Sequence, residues 1–407
     1  MTSARAALRR ILRVVLIPGP RAGRMLSYRR SHSIASELRR ARTIGLVEPK
    51  ARGHPQPEIT REMLEASERV LAAFSSAERE AAEHEGPRGM WKELISRQYR
   101  SLNDALELGE PRRLAILLEK MFVTSTTAGL SMGSEIEWTS TARGRAFFAS
   151  WWVDGALCMG AYLGALPEEM ETGEASIRSA RDFVSLLSDI EGELGAAIQF
   201  PRVCGAWGIS YAERLIPRSA WRHLHSAHVL HRMAAQLTRA TIAEVGGGFG
   251  GVAYWFHHLA TQPSAFALYD FPIVNAISGY FLIRAEVPTR LLGEPDAGES
   301  TSVLPYWRLF DEADASIDLL FNQDSLPEMP RETAVDYLHA FDRLARVGFY
   351  SENQESGAPW QRGEIGSAQL RLPALDAEFR RLKLLYRHRA WMRRGYVESF
   401  YSPAPGA

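Results

Sequence analysis

Residues 241–256 read Thr241-Ile242-Ala243-Glu244-Val245-Gly246-Gly247-Gly248-Phe249-Gly250-Gly251-Val252-Ala253-Tyr254-Trp255-Phe256. A short apolar run suited to a buried strand ends in a glycine-rich turn, and an apolar helical stretch starts at once. Glycine lets a backbone turn this sharply and approach a ligand with no Cβ in the way. The turn also offers backbone N–H groups at a helix N-terminus.

Outward from this turn the pattern continues. Apolar runs at 265–269, 302–305, 317–321 and 347–351 alternate with helical stretches. Such alternation is the signature of βαβ units, and it predicts an α/β, class I Rossmann-like sheet in residues 196–407. Upstream, residues 59–195 read as mainly helical, with Thr60 as the cap of a first helix and an aromatic, small-residue-rich helix over 147–166. This helical N-terminal domain carries no metal, phosphate or nucleophile motif, so its expected role is a cap that shapes a substrate pocket.

Two cofactor readings compete for the turn. Gly246, Gly248 and Gly251 satisfy G-x-G-x-x-G, the dinucleotide fingerprint of an NAD(P)-dependent oxidoreductase. Glu244 through Gly250 satisfy acidic-x-G-x-G-x-G, the pattern of S-adenosylmethionine sites. Glu244 favours the second, because an acid beneath the turn repels a pyrophosphate and suits an ammonium and a sulfonium. The next strand ends at Asp270, about twenty residues past the glycines, where an acid takes ribose hydroxyls. In open α/β sheets ligands sit at the carboxyl ends of strands. Two polar clusters that follow strands are therefore candidate reaction sites: Asn322-Gln323-Asp324-Ser325 through Glu328, and Glu352-Asn353.

Several segments together resemble the sugar O-methyltransferase family. They are residues 244–251, Leu268-Tyr269-Asp270-Phe271-Pro272, 291–294, 304–309, the run from Asp318 to Met329, and 349–353. The resemblance covers about Pro201 to Asn353. It implies a class I methyltransferase sheet, S-adenosyl-L-methionine as donor and a saccharide hydroxyl or other small molecule as acceptor. Leu326-Pro327 departs from the family pattern, and so, more loosely, does Phe200-Pro201-Arg202. The candidate donor-binding residues are Glu244, Gly246, Gly247, Gly248, Gly250, Asp270, Phe271 and Asn322. Transfer to a hydroxyl needs a base, for which Asp324 ranks first, Glu328 second and Glu352 third.

Bulk composition constrains the rest. The chain has 407 residues with 48 basic and 48 acidic side chains, so its formal charge is zero. Apart from an arginine-rich segment up to Arg42 there is no basic stripe interleaved with aromatics, which argues against nucleic acid as a partner. That arm carries Leu8, Ile11, Leu12, Val15 and Leu16 at helical spacing, as a peripheral membrane or protein contact would. Residues 45–58 read as a linker. Two cysteines, Cys158 and Cys204, fit a reducing, cytoplasmic setting. His223, His225, His228 and His231 crowd one helix, but no further ligand is placed to complete a zinc motif, and they read as semi-exposed, with one or two lining the cleft. A divalent ion at Asp324 with Glu328 or Glu352 stays open, as does a non-catalytic binding protein on the same fold.

Overall fold

A computed structural model describes residues 46–47, 57–124, 129–130, 141–165, 180–211, 214–260, 264–295, 298, 300–355, 370–393 and 395–404. The basic segment up to Arg42 and most of the linker lie outside them.

Among the described residues the order begins with a two-residue strand, β1 (Leu46–Val47), followed by α1 (Arg61–Ala81), α2 (Gly89–Arg97), α3 (Arg100–Glu107), α4 (Pro111–Leu118), α5 (Ala142–Leu163) and α6 (Ala180–Leu194). Thr60 caps α1 as its sequence predicts: its hydroxyl accepts from the Met63 N–H, which would otherwise have no partner. Ala66, Val70, Phe74 and Ala77 then form the buried stripe of α1. Pro111 starts α4 at the position where a missing N–H costs nothing. β2 (Gly208–Tyr211) and β3 (Arg214–Ile216) form a hairpin, and β1 pairs antiparallel with β2. Leu46 and Val47, read as linker, thus form a sheet edge.

The second half runs α7 (Ala220–Ala234), β4 (Ala240–Val245), α8 (Gly251–Leu259), β5 (Ser264–Asp270), α9 (Pro272–Arg284), β6 (Thr289–Leu291), β7 (Thr301–Pro305), β8 (Ile317–Gln323), α10 (Arg331–Leu344), β9 (Ala345–Gln354), β10 (Leu382–Arg389) and β11 (Tyr396–Pro403). The sheet order is β10-β11-β9-β8-β4-β5-β7-β6. Strands β4 to β9 run parallel, whereas β11 lies antiparallel between β9 and β10. From the central β4 the chain builds outward through β5 to the edge strand β6, returns to insert β7 between those two, then crosses back to β8 on the other flank. This is the class I Rossmann-like α/β fold, and its switch point lies between β4 and β8.

Alternate residues of a strand face opposite sides of the sheet. Ile242 therefore joins a core cluster that reaches from Ala66 to Phe400, while Ala243 and Val245 join a second cluster with Phe341 and Phe349. Both faces are covered, which is why these strands read as continuous apolar runs. The helix α9 is buried along nearly its whole surface, from Ile273 to Leu282, because it packs on β7 and beneath α1 at once. Each fully buried large side chain here is worth about 1.5–3 kcal/mol.

Candidate functional site

The glycine turn follows β4 at the switch point. Gly246 has φ of 74°, a left-handed conformation that side chains disfavour, and a methyl there would collide with Ser325 Oγ. Gly247 rides on the Leu268 side chain, a methyl added at Gly248 would approach Leu130 at 3.7 Å, and Gly250 caps α8. The Gly246 N–H donates to the Tyr269 carbonyl at 3.0 Å, so the turn is stitched to the neighbouring strand β5.

Two carboxyls lie under and beside this turn. Glu244 is 2 % exposed, and among the described residues its Oε2 has no hydrogen-bond partner. Burial, with Asp270 adding repulsion, pushes its carboxyl up to about 8. Asp270 ends β5; its Oδ1 accepts from the Phe271 N–H at 2.8 Å and its Oδ2 from the Gly248 N–H at 3.3 Å. Burial outweighs these two bonds and raises Asp270 to about 7.

Val245, Gly246 and Asp270 form part of a cavity of about 720 Å³. Its walls include the aromatic side chains of Trp91, Phe271, Tyr306 and Trp307. Phe271 lies 6.2 Å from Trp91 and 5.6 Å from Tyr306 between ring centroids. The helical half closes one side. Trp307 donates to Glu80 at 2.9 Å, Arg308 pairs with the same carboxylate at 2.5 Å, and the Tyr306 hydroxyl donates to the Glu85 carbonyl. From α2, the Trp91 indole N–H donates to Glu328 Oε2 at 3.2 Å. Glu328 faces the cavity, and burial, then the nearby Asp324, push its carboxyl up to about 8 against that hydrogen bond. It stands at the end of a 3-10 turn, Leu326–Glu328.

The other predicted residues are placed differently. Asn322 is fully buried and does not line the cavity. Its amide donates to the Val245 carbonyl at 2.8 Å and to Ser325 Oγ at 2.5 Å, and its oxygen accepts from Asn353 at 2.9 Å. Asn322 therefore braces the turn from behind. Glu352, also fully buried, accepts from Ser226 and Gln323, each at 2.9 Å, and sits opposite Glu398 across β9 and β11. Burial and Glu398 together raise its carboxyl. Asp324 has φ of 70° and pairs with Arg393 at 2.5 Å and with Arg222 at 3.7 Å. Burial pushes its carboxyl up, but Arg393 and then Arg222 outweigh this and hold it below the usual range. A carboxylate held this way is a weaker proton acceptor than Glu328.

The α7 histidines do not line the cavity. His223 and His225 are buried between α5, α7 and α8, against the expectation of a semi-exposed helix. Burial lowers His225 to about 3 and His228 to about 4, so both are neutral at pH 7, and both meet the Tyr162 ring edge-on. Among the described residues no group of three or more His, Cys, Asp or Glu side chains could hold a metal ion. No described helix is long and apolar enough to cross a membrane. Both cysteines are buried, and neither forms a disulfide.

Sequence reasoning passed over Trp91, Arg222 and Arg393. Tyr306 and Trp307 follow β7 at the same carboxyl edge as the predicted clusters, so the strand-end rule points to them as well.

No family model matches the chain, and no curated protein matches it in sequence. Among solved structures it is similar to a protein of Galdieria sulphuraria assigned as a sarcosine dimethylglycine methyltransferase, at 13% identity and a TM-score of 0.35 over 44% of this chain and 84% of that one. It is also similar to magnesium protoporphyrin IX methyltransferase from Synechocystis PCC 6803 with bound S-adenosylhomocysteine, at 11% identity and a TM-score of 0.33 over 45% of this chain and 82% of that one. The fold assignment rests on the strand order and on the switch point between β4 and β8.

Proposed function

We propose that this chain is an S-adenosylmethionine-dependent O-methyltransferase acting on a hydroxyl of a sugar or glycoconjugate. The observation that carries the reading is Glu244, a buried carboxyl with an unpaired oxygen directly beneath the glycine turn. With Asp270 beside it, the turn is prepared for a cationic ligand and opposed to a pyrophosphate. Sheet order adds support, since the dinucleotide-binding arrangement is parallel throughout, whereas here antiparallel β11 lies between β9 and β10.

S-adenosylmethionine, when bound, supplies an electrophilic methyl group on a positively charged sulfur. Gly246, Gly247, Gly248 and Gly250 would hold its amino-acid end over Glu244. Asp270 would take the ribose hydroxyls, and Phe271 with Tyr306 the base. Asn322 contributes by bracing the turn rather than by touching the donor.

Proton removal falls to Glu328, not to Asp324, because Glu328 faces the cavity and its carboxyl lies near neutral pH, where a general base works best. Trp91 fixes the orientation of Glu328 by its hydrogen bond. Asp324 stays ionised in its arginine pair, and Glu352 stays behind the sheet edge. The sugar acceptor rests on the motif resemblance around Asp318 to Met329 and on the aromatic walls, which suit the apolar faces of a sugar ring. Incubation with methyl-labelled donor and a panel of sugars tests the reading. It requires label on a hydroxyl oxygen, lost in Glu328→Gln; label on nitrogen, or label unaffected by that change, contradicts it.

A further inference from the structure

Beside Glu328, two arginines bracket one aspartate. Arg393 comes from the segment between β10 and β11, Arg222 from α7 and Asp324 from the end of β8. Arg393 makes one short pair with Asp324 and lies 3.6 Å over the Tyr396 ring. Arg222 donates its Nε–H to His223 at 3.2 Å, while its terminal nitrogens make no hydrogen bond among the described residues, the nearest acid being Asp324 at 3.7 Å. Two cations thus share the one carboxylate within ion-pair distance, and Glu352 acts on both only from further off. Neither is sealed off, for the side chains of Arg222, Arg393 and Asp324 keep 26 %, 17 % and 32 % of their surface open to solvent. A structural ion pair needs only one guanidinium per carboxylate. A second, with free N–H groups and partial exposure, is the arrangement that recognises an anion through a planar fork. The cluster stands one 3-10 turn from Glu328, since Asp324 immediately precedes that turn and Glu328 ends it.

We propose that Arg222 and Arg393 bind an anionic substituent of the acceptor, so that the sugar is an acidic one bearing a carboxylate or a phosphate ester. This deepens the methyltransferase reading and rests on it for the word acceptor, but the anion site itself does not depend on the donor. Asp324 spaces and aligns the two guanidinium groups, the acid is gripped there, and a ring hydroxyl is presented to Glu328. A neutral sugar leaves the surplus cation unpaired and binds less well.

The test is calorimetric titration of the full chain, with and without saturating sinefungin, a non-reactive analogue of the methyl donor. The probes are glucuronate, glucose 6-phosphate, inorganic phosphate and glucose. Tighter binding of at least one charged sugar than of glucose is expected, by about tenfold or more. Glucuronate alone identifies a carboxylate site, whereas glucose 6-phosphate with inorganic phosphate identifies a phosphate site. Arg222→Gln, which leaves the shorter Arg393–Asp324 pair in place, should abolish that preference with the sinefungin affinity unchanged. Arg222→Lys should restore only part of it, because the charge returns without the fork. Equal binding of glucose and its charged counterparts, no binding by any probe, or an unaltered preference in Arg222→Gln each overturns the proposal. Loss of sinefungin binding with an intact, Arg222-dependent anion preference instead overturns the methyltransferase reading and leaves the anion site standing.

Discussion

Replacing Glu244 by glutamine should stabilise the ligand-free protein while harming its donor site. The side chain is buried, Oε2 has no partner, and its carboxyl lies near 8 instead of its ordinary 4.5. Between those two values the unfolded chain has released the proton and the folded chain keeps it. The folded state therefore binds more protons, and stability falls as pH rises through that window, reaching a floor above about pH 8. Each tenfold change in proton affinity is worth about 1.4 kcal/mol, so Glu244 costs about 4 kcal/mol more at pH 8 than at pH 5. Glu244→Gln keeps the shape and removes the charge. Its stability advantage over the parent should therefore be small at pH 5, grow with pH, and flatten above pH 8 at roughly 2–4 kcal/mol. Denaturant unfolding of both proteins at several pH values measures this directly, and titrating groups other than Asp270, which faces Glu244, cancel in the difference. The same variant should bind S-adenosylmethionine about tenfold more weakly. A stability difference independent of pH, or a variant less stable than its parent at pH 8, would refute the reasoning.

Asp270→Ala should weaken donor binding by about ten- to a hundredfold, the worth of a charge-assisted contact to hydroxyls, with the fold intact by circular dichroism. With Glu328 as base, the rate should rise with pH through about 8 as its carboxyl ionises. Glu328→Gln should lower single-turnover rates by about 10²–10⁴-fold and flatten that profile. Asn322→Ala removes the shorter of two bonds to the Val245 carbonyl and one acceptor of the Asn353 amide, which keep Ser325 and Ser351 as partners, so it should cost about 1–2 kcal/mol in thermal or denaturant unfolding. Gly246→Ala should abolish donor binding, because its methyl meets Ser325 in a left-handed backbone.

Local chemistry was legible in the sequence. The five central strands follow from apolar runs bounded by turns, and the turn after β4 follows from glycines that only a close backbone approach explains. Asp270 and Glu328 follow from the rule that ligands meet strand ends. What the sequence hid depends on residues far apart in the chain. Asp324 looks like a free carboxylate until α7 and the segment before β11 bring two arginines to it. Trp91 belongs to a helix with no motif, and only the docking of α2 on the sheet edge puts its indole against Glu328. The histidines of α7 read as semi-exposed because His is commonly intermediate in burial, yet α5 and α8 pack over them and their neutral form tolerates it. Strands β10 and β11 escaped notice because β10 is an edge strand whose Leu384 and Leu385 stay exposed among basic residues, without a clean alternation.

The central claim is that the glycine turn over Glu244 takes a cationic methyl donor. Calorimetric titration of the full chain with S-adenosylmethionine, and separately with NAD, tests it most directly when run near pH 7.5 in two buffers of different ionisation enthalpy. Glu244 and Glu328 are mainly protonated there and Asp270 partly so, and a bound cation favours their ionised forms. The account predicts saturable binding of S-adenosylmethionine with net proton release, and no binding of NAD. Binding of NAD without S-adenosylmethionine, or donor binding with proton uptake, would contradict it.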